Sequence, residues 1–245
     1  MPSITYTNIL PDPNNAIGDA GQSGGTAGAG YRSVKLSSEH KIANNRTNSG
    51  RLVSRELAGH KWDIGITYNP MIRDDFEPIY SFLLQKRGSL SPFFVSLPQY
   101  KQPRTPAFAS FVASNDFQAA TNGAAGTTNL MVSQASYVRA THATPRPGDV
   151  FTFTDSADSN HKKTYQITRV ETADAFQEGT TAPSDTSKEL RIHFIPALQR
   201  AVTSTAVVNF NNPLFRVIQK TDVQEYNLDS NNLYSFSLKL EEAQK

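Results

Sequence analysis

Residues 61–100, KWDIGITYNPMIRDDFEPIYSFLLQKRGSLSPFFVSLPQY, decide how this chain is read, because strand, turn and helix signals follow one another there without conflict. Trp62, Ile64, Ile66 and Tyr68 alternate with Asp63, Gly65, Thr67 and Asn69, the period of a strand with one buried face. Asn69-Pro70 ends it. From Asp74 the spacing changes, and Phe76, Ile79, Tyr80 and Leu83 fall on one helical face. The expected helix covers residues 74–87, with Asp74 as N-cap and Glu77 as the second half of a capping box. Pro78 falls early, where a missing N–H matters little. Lys86 and Arg87 put cations on the last turn, and Gly88 suits the left-handed position beyond it. Residues 92–97, PFFVSL, form a compact apolar strand. Most of the remaining chain reads as strand and loop.

The totals narrow the function classes. At 245 residues and 38% hydrophobic content, there is room for one large β domain or two smaller ones. The net charge is +2, with acids and bases interleaved, so no dedicated nucleic-acid face is expected. The absence of cysteine excludes disulfides, thiolate zinc sites and a cysteine nucleophile. Neither a secretory leader nor a membrane-spanning run is seen, and a soluble protein made in a cytoplasm is expected.

Outward from residues 61–100, the chain divides into an N-terminal arm with edge strands (1–60), a β domain with the helix (61–128 and 201–245) and an inserted small β-barrel or sandwich (129–200). The arm includes GDAGQSGGTAGAG, residues 18–30, whose composition reads first as a flexible loop and, as the alternative, as a long arm that orders when it lies on a neighbouring subunit. The adjoining AGAGYR is not a phosphate loop, since no strand leads in and no GK[ST] follows. YRSVKL (31–36) and GRLVSREL (50–57) are expected as short edge strands. Residues 99–128, with Pro103 and Pro106, read as a soft connection. NLMVSQA, DVFTFTD, KTYQITRVET and ELRIHFIPAL give the module four strands. Pro147-Gly148-Asp149 is a tight turn, Gly148 supplying positive φ. QEGTTAPSDTSK (177–188) is a polar loop. LFRVIQ (214–219) and VQEYNL (223–228) read as a strand pair. Tyr234, Phe236, Leu238 and Leu240 line the inward face of a final strand.

Nothing in the pattern points to catalysis. His40, His60, His142, His161 and His193 lie in no metal-binding spacing, and no metal or cofactor is expected. Asp155 and Asp158, in TDSADSN, lack the glycine and terminal glutamate of a calcium loop and read as a hairpin turn. No GxSxG elbow is present. Arg32, Arg73, Lys86 and Arg87 read as ordinary solvated charge rather than a patch. The expected scaffold core is Trp62, Ile64, Ile66, Phe76, Ile79, Leu83, Tyr234, Phe236 and Leu238, with no catalytic, cofactor-binding or metal residue.

The opening stretch also carries a resemblance. Trp62, Ile64, Ile66, Tyr68, Pro70 and Met71, then Arg73, Asp75, Phe76, Pro78, Ile79, Phe82, Leu83 and Gly88, resemble the tail proteins of bacteriophages, of the tail-tube and distal-tail (baseplate tube initiator) type. Pro213 to Val217 and the closing Glu241-Glu242-Ala243 are similar to the same group, as are Pro147 to Val150, Tyr165 to Ile167 and Ile195 to Leu198. The resemblance implies a mainly β fold: a tail-tube-like split β-barrel or sandwich with one flanking helix and an inserted β module. It implies a non-enzymatic structural protein of the virion, assembled in the host cytoplasm. Such a protein forms a homo-oligomeric ring, commonly a hexamer, at the baseplate end of the tail tube. Its partners would be itself, the tail tube protein and the baseplate hub, with DNA only as transient cargo in the lumen and no membrane insertion. An alternative is a tail-associated binding module whose insertion recognises host-surface carbohydrate through Tyr137, Phe151, Phe153 and Tyr165. A tail hydrolase would need an acid pair that the sequence does not present.

Overall fold

The computed structural model describes residues 8–11, 30–175, 182–183 and 188–243, without the side chains of residues 56–58. The arm at 18–30, apart from Gly30, and most of the 177–188 loop lie outside the described residues. The fold is mainly β. In chain order the elements are β1 (Tyr31–Arg46), β2 (Leu52–Tyr68), α1 (Arg73–Lys86), β3 (Phe93–Ser96), α2 (Pro106–Val112), β4 (Phe117–Ala119) and β5 (Asn129–Ser133). There follow α3 (Arg139–His142), β6 (Val150–Thr154), β7 (Thr164–Glu171), β8 (Glu189–Ile195) and β9 (Val207–Asn209). Last come β10 (Leu214–Gln219), β11 (Tyr226–Leu228) and β12 (Tyr234–Glu242). The described residues form two compact units, one of those up to Val95 with Val217–Ala243, the other of those in Ser96–Arg216.

The first unit is an open sheet in the order β1-β2-β12-β10-β3, with β11 added to β12. The alternation in residues 62–68 faces Trp62, Ile64, Ile66 and Tyr68 into its core, where Phe236, Leu238 and Leu240 of β12 join them. α1 contributes Phe76, Ile79, Phe82 and Leu83 to that core, all buried. Phe76 stacks on the half-buried Tyr234 with ring centroids 4.5 Å apart, and Phe82 meets Phe93 edge-on at 5.4 Å.

The helix ends differ from expectation. The N-cap is Ile72, without a side-chain hydrogen bond, and Asp74 sits inside the first turn. There a carboxylate still meets the positive end of the helix dipole. Glu77 pairs with Arg73 at 3.2 Å rather than closing a capping box. Pro78 is inside the helix, so the Asp74 carbonyl has no N–H four residues on. The left-handed residue ending the helix is Arg87 (φ 55°), followed by Gly88 (φ 65°). A Cβ at Gly88 would stand 2.5 Å from Asp222 Oδ1.

Two strand assignments change as well. Residues 31–36 and 50–57 are not separate short edges but parts of one long hairpin, because β2 runs unbroken into residues 61–68. LFRVIQ and VQEYNL do not pair with each other as read: β10 and β11 each pair with β12.

The second unit is a closed barrel in the order β4-β5-β8-β7-β6-β9. The four module strands are present as β5 to β8, and the barrel closes with β4 and β9 from either side of residues 129–200. Residues 99–128 are thus no soft connection. Pro106 stands at the start of α2 rather than stopping structure, since proline's fixed φ suits a first helical turn. Phe108, Phe111 and Phe117 from this stretch are core residues. The turn at Pro147-Gly148-Asp149 forms with Gly148 at φ 99°, and the buried Asp149 carboxylate accepts N–H groups of Arg104 and Arg146 at 3.0 and 2.7 Å.

Candidate assembly interface

The hairpin of β1 and β2 is where the described residues depart most from self-sufficiency. Its base belongs to the sheet: β12 pairs with β2 from Asp63 to Thr67. Beyond that, the register runs from Lys41↔Leu57 to Arg46↔Leu52 with no third strand among the described residues. At ~3.4 Å per residue this two-stranded ribbon extends about 20 Å past an irregularity between Glu39 and Lys41. Its tip is held by local polar contacts. Thr47 Oγ1 accepts the Arg51 N–H at 3.1 Å, the Gly50 N–H donates to the Thr47 carbonyl at 2.8 Å, and Gly50 takes φ 82°.

The base is tied down. The Ser38 hydroxyl lies between His40 Nε2 (3.1 Å) and His60 Nε2 (2.8 Å), and His60 meets the Trp62 ring edge-on. Lys61 reaches Glu241 at 3.1 Å and Glu39 at 3.4 Å. The Glu241 hydrogen bond, outweighing burial, holds its ammonium above the ordinary lysine range. The Trp62 N–H donates to Glu242 Oε2 at 3.2 Å.

The ribbon itself is uncovered. Ile42, Leu52 and Val53 are 54%, 56% and 51% exposed. Ile42 and Leu52 lie on one face of the ribbon and Val53 on the other, by the register. Residues 31–61 also carry Arg32, Lys35, Lys41, Arg46, Arg51, Arg55 and Lys61 against only Glu39 and Glu56, a local excess that the near-neutral total conceals. A two-stranded ribbon is marginal in water on its own, and an open edge offers unpaired backbone groups to another chain. Chemically, this arrangement suits docking rather than catalysis.

The expected core residues separate into two sets. Trp62, Ile64, Ile66, Phe76, Ile79, Leu83, Phe236 and Leu238 are all buried, while Tyr234 is half-buried and stacked on Phe76. The four cations read as solvated charge are not gathered. Arg73 and Lys86 stand at opposite ends of a 14-residue helix, about 20 Å long at 1.5 Å per residue. Lys86 bonds Asn8 Oδ1 at 2.8 Å and lies over the Phe82 ring.

The barrel holds three polar arrangements, each with an internal explanation. Asp155 accepts from Thr203 N–H and Oγ1 and from Ala157 N–H at 2.8–2.9 Å. Burial works against its charge, but these bonds outweigh it and keep the carboxyl below the usual range. Asp158 pairs with Arg200, which holds its carboxyl low too, so TDSADSN is a bonded turn. Glu171, buried, meets Arg169 at 2.9 Å and His193 at 3.3 Å. His161 Nε2 lies 2.7 Å from the Tyr165 hydroxyl, which accepts the Gln199 N–H. Among the described residues no group of three or more acidic or histidine side chains is placed to hold a metal ion, and no helix is long and apolar enough to cross a membrane. Tyr137, Phe151, Phe153 and Tyr165 are at most 1% exposed. They fill the barrel and present no ring to a sugar, which removes the basis of the carbohydrate reading.

Composition and period located the core but missed the ribbon, whose signal was a charge window over residues 31–61 rather than the chain total. No family model matches the chain. It is similar to the distal tail protein pb9 of Escherichia phage T5, with 24% identity over 218 residues, 88% of this chain and 93% of that protein.

Proposed function

We propose that this chain is a structural protein of a bacteriophage tail, of the distal-tail type, that acts by being assembled. The similarity to a distal tail protein across both chains nearly end to end supports this reading, and the unsupported ribbon carries it physically. Copies of the chain join through the β1–β2 hairpin into a closed ring, six being the expected number, at the baseplate end of the tail tube. The ring connects tube to hub and leaves a lumen for DNA. The open sheet, with its helix, forms the ring, and the barrel is a separately folded appendage directed to other tail proteins.

Two measurements test this. Mass spectrometry of purified virions should find the chain at a fixed copy number per particle, and sedimentation of the purified protein should give a multimer with cyclic symmetry in electron micrographs. A chain missing from virions and monomeric at every concentration would sink the reading.

A further inference from the structure

The ribbon requires an acceptor, and the same unit carries a surface with the opposite character. β11 pairs with β12 through three residues and is exposed along its length. Leu228 is 51% exposed, and Val223 just before the strand is 68% exposed. Tyr226 joins this strip to α1, its ring centroid 5.0 Å from Phe76 and 5.4 Å from Tyr80. The first turn of α1 lies alongside, because Met71 bridges to Tyr234, and it presents the exposed Ile72 and Asp74. Exposed Glu225 sits beside β11. Of the acids in residues 217–243, Asp222, Glu225 and Asp229 are exposed, whereas Glu242 is buried and Glu241 pairs with Lys61. The neighbouring cations Lys220 and Arg73 are paired with Asp63 and Glu77. One surface of this unit is thus apolar and basic, and another is apolar and acidic.

We propose that the acceptor is the β11 and α1 first-turn surface of a second copy, so that copies join head to tail through two different patches. The inference rests on the ring reading above and names the partner surface within it. Charge complementarity selects this arrangement. Pairing two ribbons would set Lys41, Arg46, Arg51 and Arg55 of one copy against the same cations of the other, and like charges across an interface are strongly disfavoured. Docking on Glu225 and Asp74 reverses that sign. Ile42 and Leu52, which share one face of the ribbon, meet apolar partners in Ile72, Val223 and Leu228. Two non-identical patches give a heterologous contact, which closes into a ring when the rotation between copies divides a full turn. Because exposed charges contribute, the contact weakens as salt rises.

The absence of cysteine makes a direct test available. Leu52→Cys and Leu228→Cys are introduced together in the full chain, oxidised, and run without reductant. The expected result is a ladder of disulfide-linked multimers, absent from each single variant and from a control pairing Leu52→Cys with Ile195→Cys on the barrel. Disulfide dimers of the Leu52→Cys single variant would show ribbon against ribbon and overturn the proposal. A second arm uses charge. Arg46→Glu with Arg51→Glu should reduce multimer at least tenfold by sedimentation, as should Glu225→Lys with Asp74→Lys, and combining the four changes should restore most of it. A ribbon variant that dissociates beside an acidic-surface variant that does not, with no ladder, rejects this acceptor and leaves the ring reading standing. A wild-type chain that never multimerises and is absent from virions removes both.

Discussion

The barrel and the ribbon solve the same problem of β-structure in opposite ways. In the barrel, β9 returns to β4 and β6, so every strand has a neighbour on both sides and the sheet has no edge. Its interior is a continuous aromatic cluster: Phe151, for instance, contacts Phe153, Tyr165, Phe194 and Phe210. Among the described residues the ribbon has one interstrand ladder, an outer strand with a single neighbour, and exposed apolar side chains. One region is complete within the chain, whereas the other becomes complete only against something else. Burial therefore predicts which region governs stability and which governs association.

The comparison breaks first at the cores. Phe151→Ala in the barrel and Phe76→Ala beneath the sheet should each lose about 3–5 kcal/mol in denaturant unfolding, since both rings are buried. A Phe76→Ala loss below about 1 kcal/mol would mean that α1 does not present that face to the sheet.

A pH effect of similar size belongs to the barrel. His161 is 1% exposed, and burial, its largest influence, lowers its pKa from 6.5 to about 4. Asp158 and Asp155 pull the other way. Between those two values the unfolded chain binds a proton that the folded chain does not. Stability is therefore fully present above pH 6.5 and falls as the pH drops toward 4, by about 3 kcal/mol over the window. His161→Gln should flatten this slope in unfolding measurements at pH 7, 5.5 and 4.5. An equal slope in wild type and variant would assign the effect elsewhere.

Smaller effects come from the turns. Gly88→Ala places a Cβ at φ 65° against Asp222, which accepts the Ser89 N–H and hydroxyl at 3.0 and 2.8 Å. A loss of about 1–3 kcal/mol is expected, read as a lowered denaturation midpoint. At the bottom of the scale, Ile42→Ser or Leu52→Ser should change monomer stability by less than about 0.5 kcal/mol while reducing the multimer fraction in sedimentation. A large stability loss there would show that the ribbon packs on its own chain.

Legibility followed burial. Residues 62–68 and 234–240 were readable because one face of each strand is buried, which forces alternation into the amino-acid choice. The four strands of residues 129–200 were readable for the same reason, between turns such as Gly148. α2 was missed because Pro106, taken as a stop, is also a good first residue for a helix. β4 and β9 were missed because three residues are too few to show a period. Residues 31–57 showed only fragments, since no core disciplines either face of the ribbon.

The sequence by itself determined the mainly β class, the helix and its buried face, and the inward side of the long strands, because local period and burial are the same physical constraint. Only the tertiary structure decided that β2 continues into an unsupported hairpin, that β4 and β9 close the barrel, and that the candidate sugar-stacking rings lie inside it. Those outcomes depend on which distant strands pair and on which side chains remain in water, and neither is encoded within a single turn of chain.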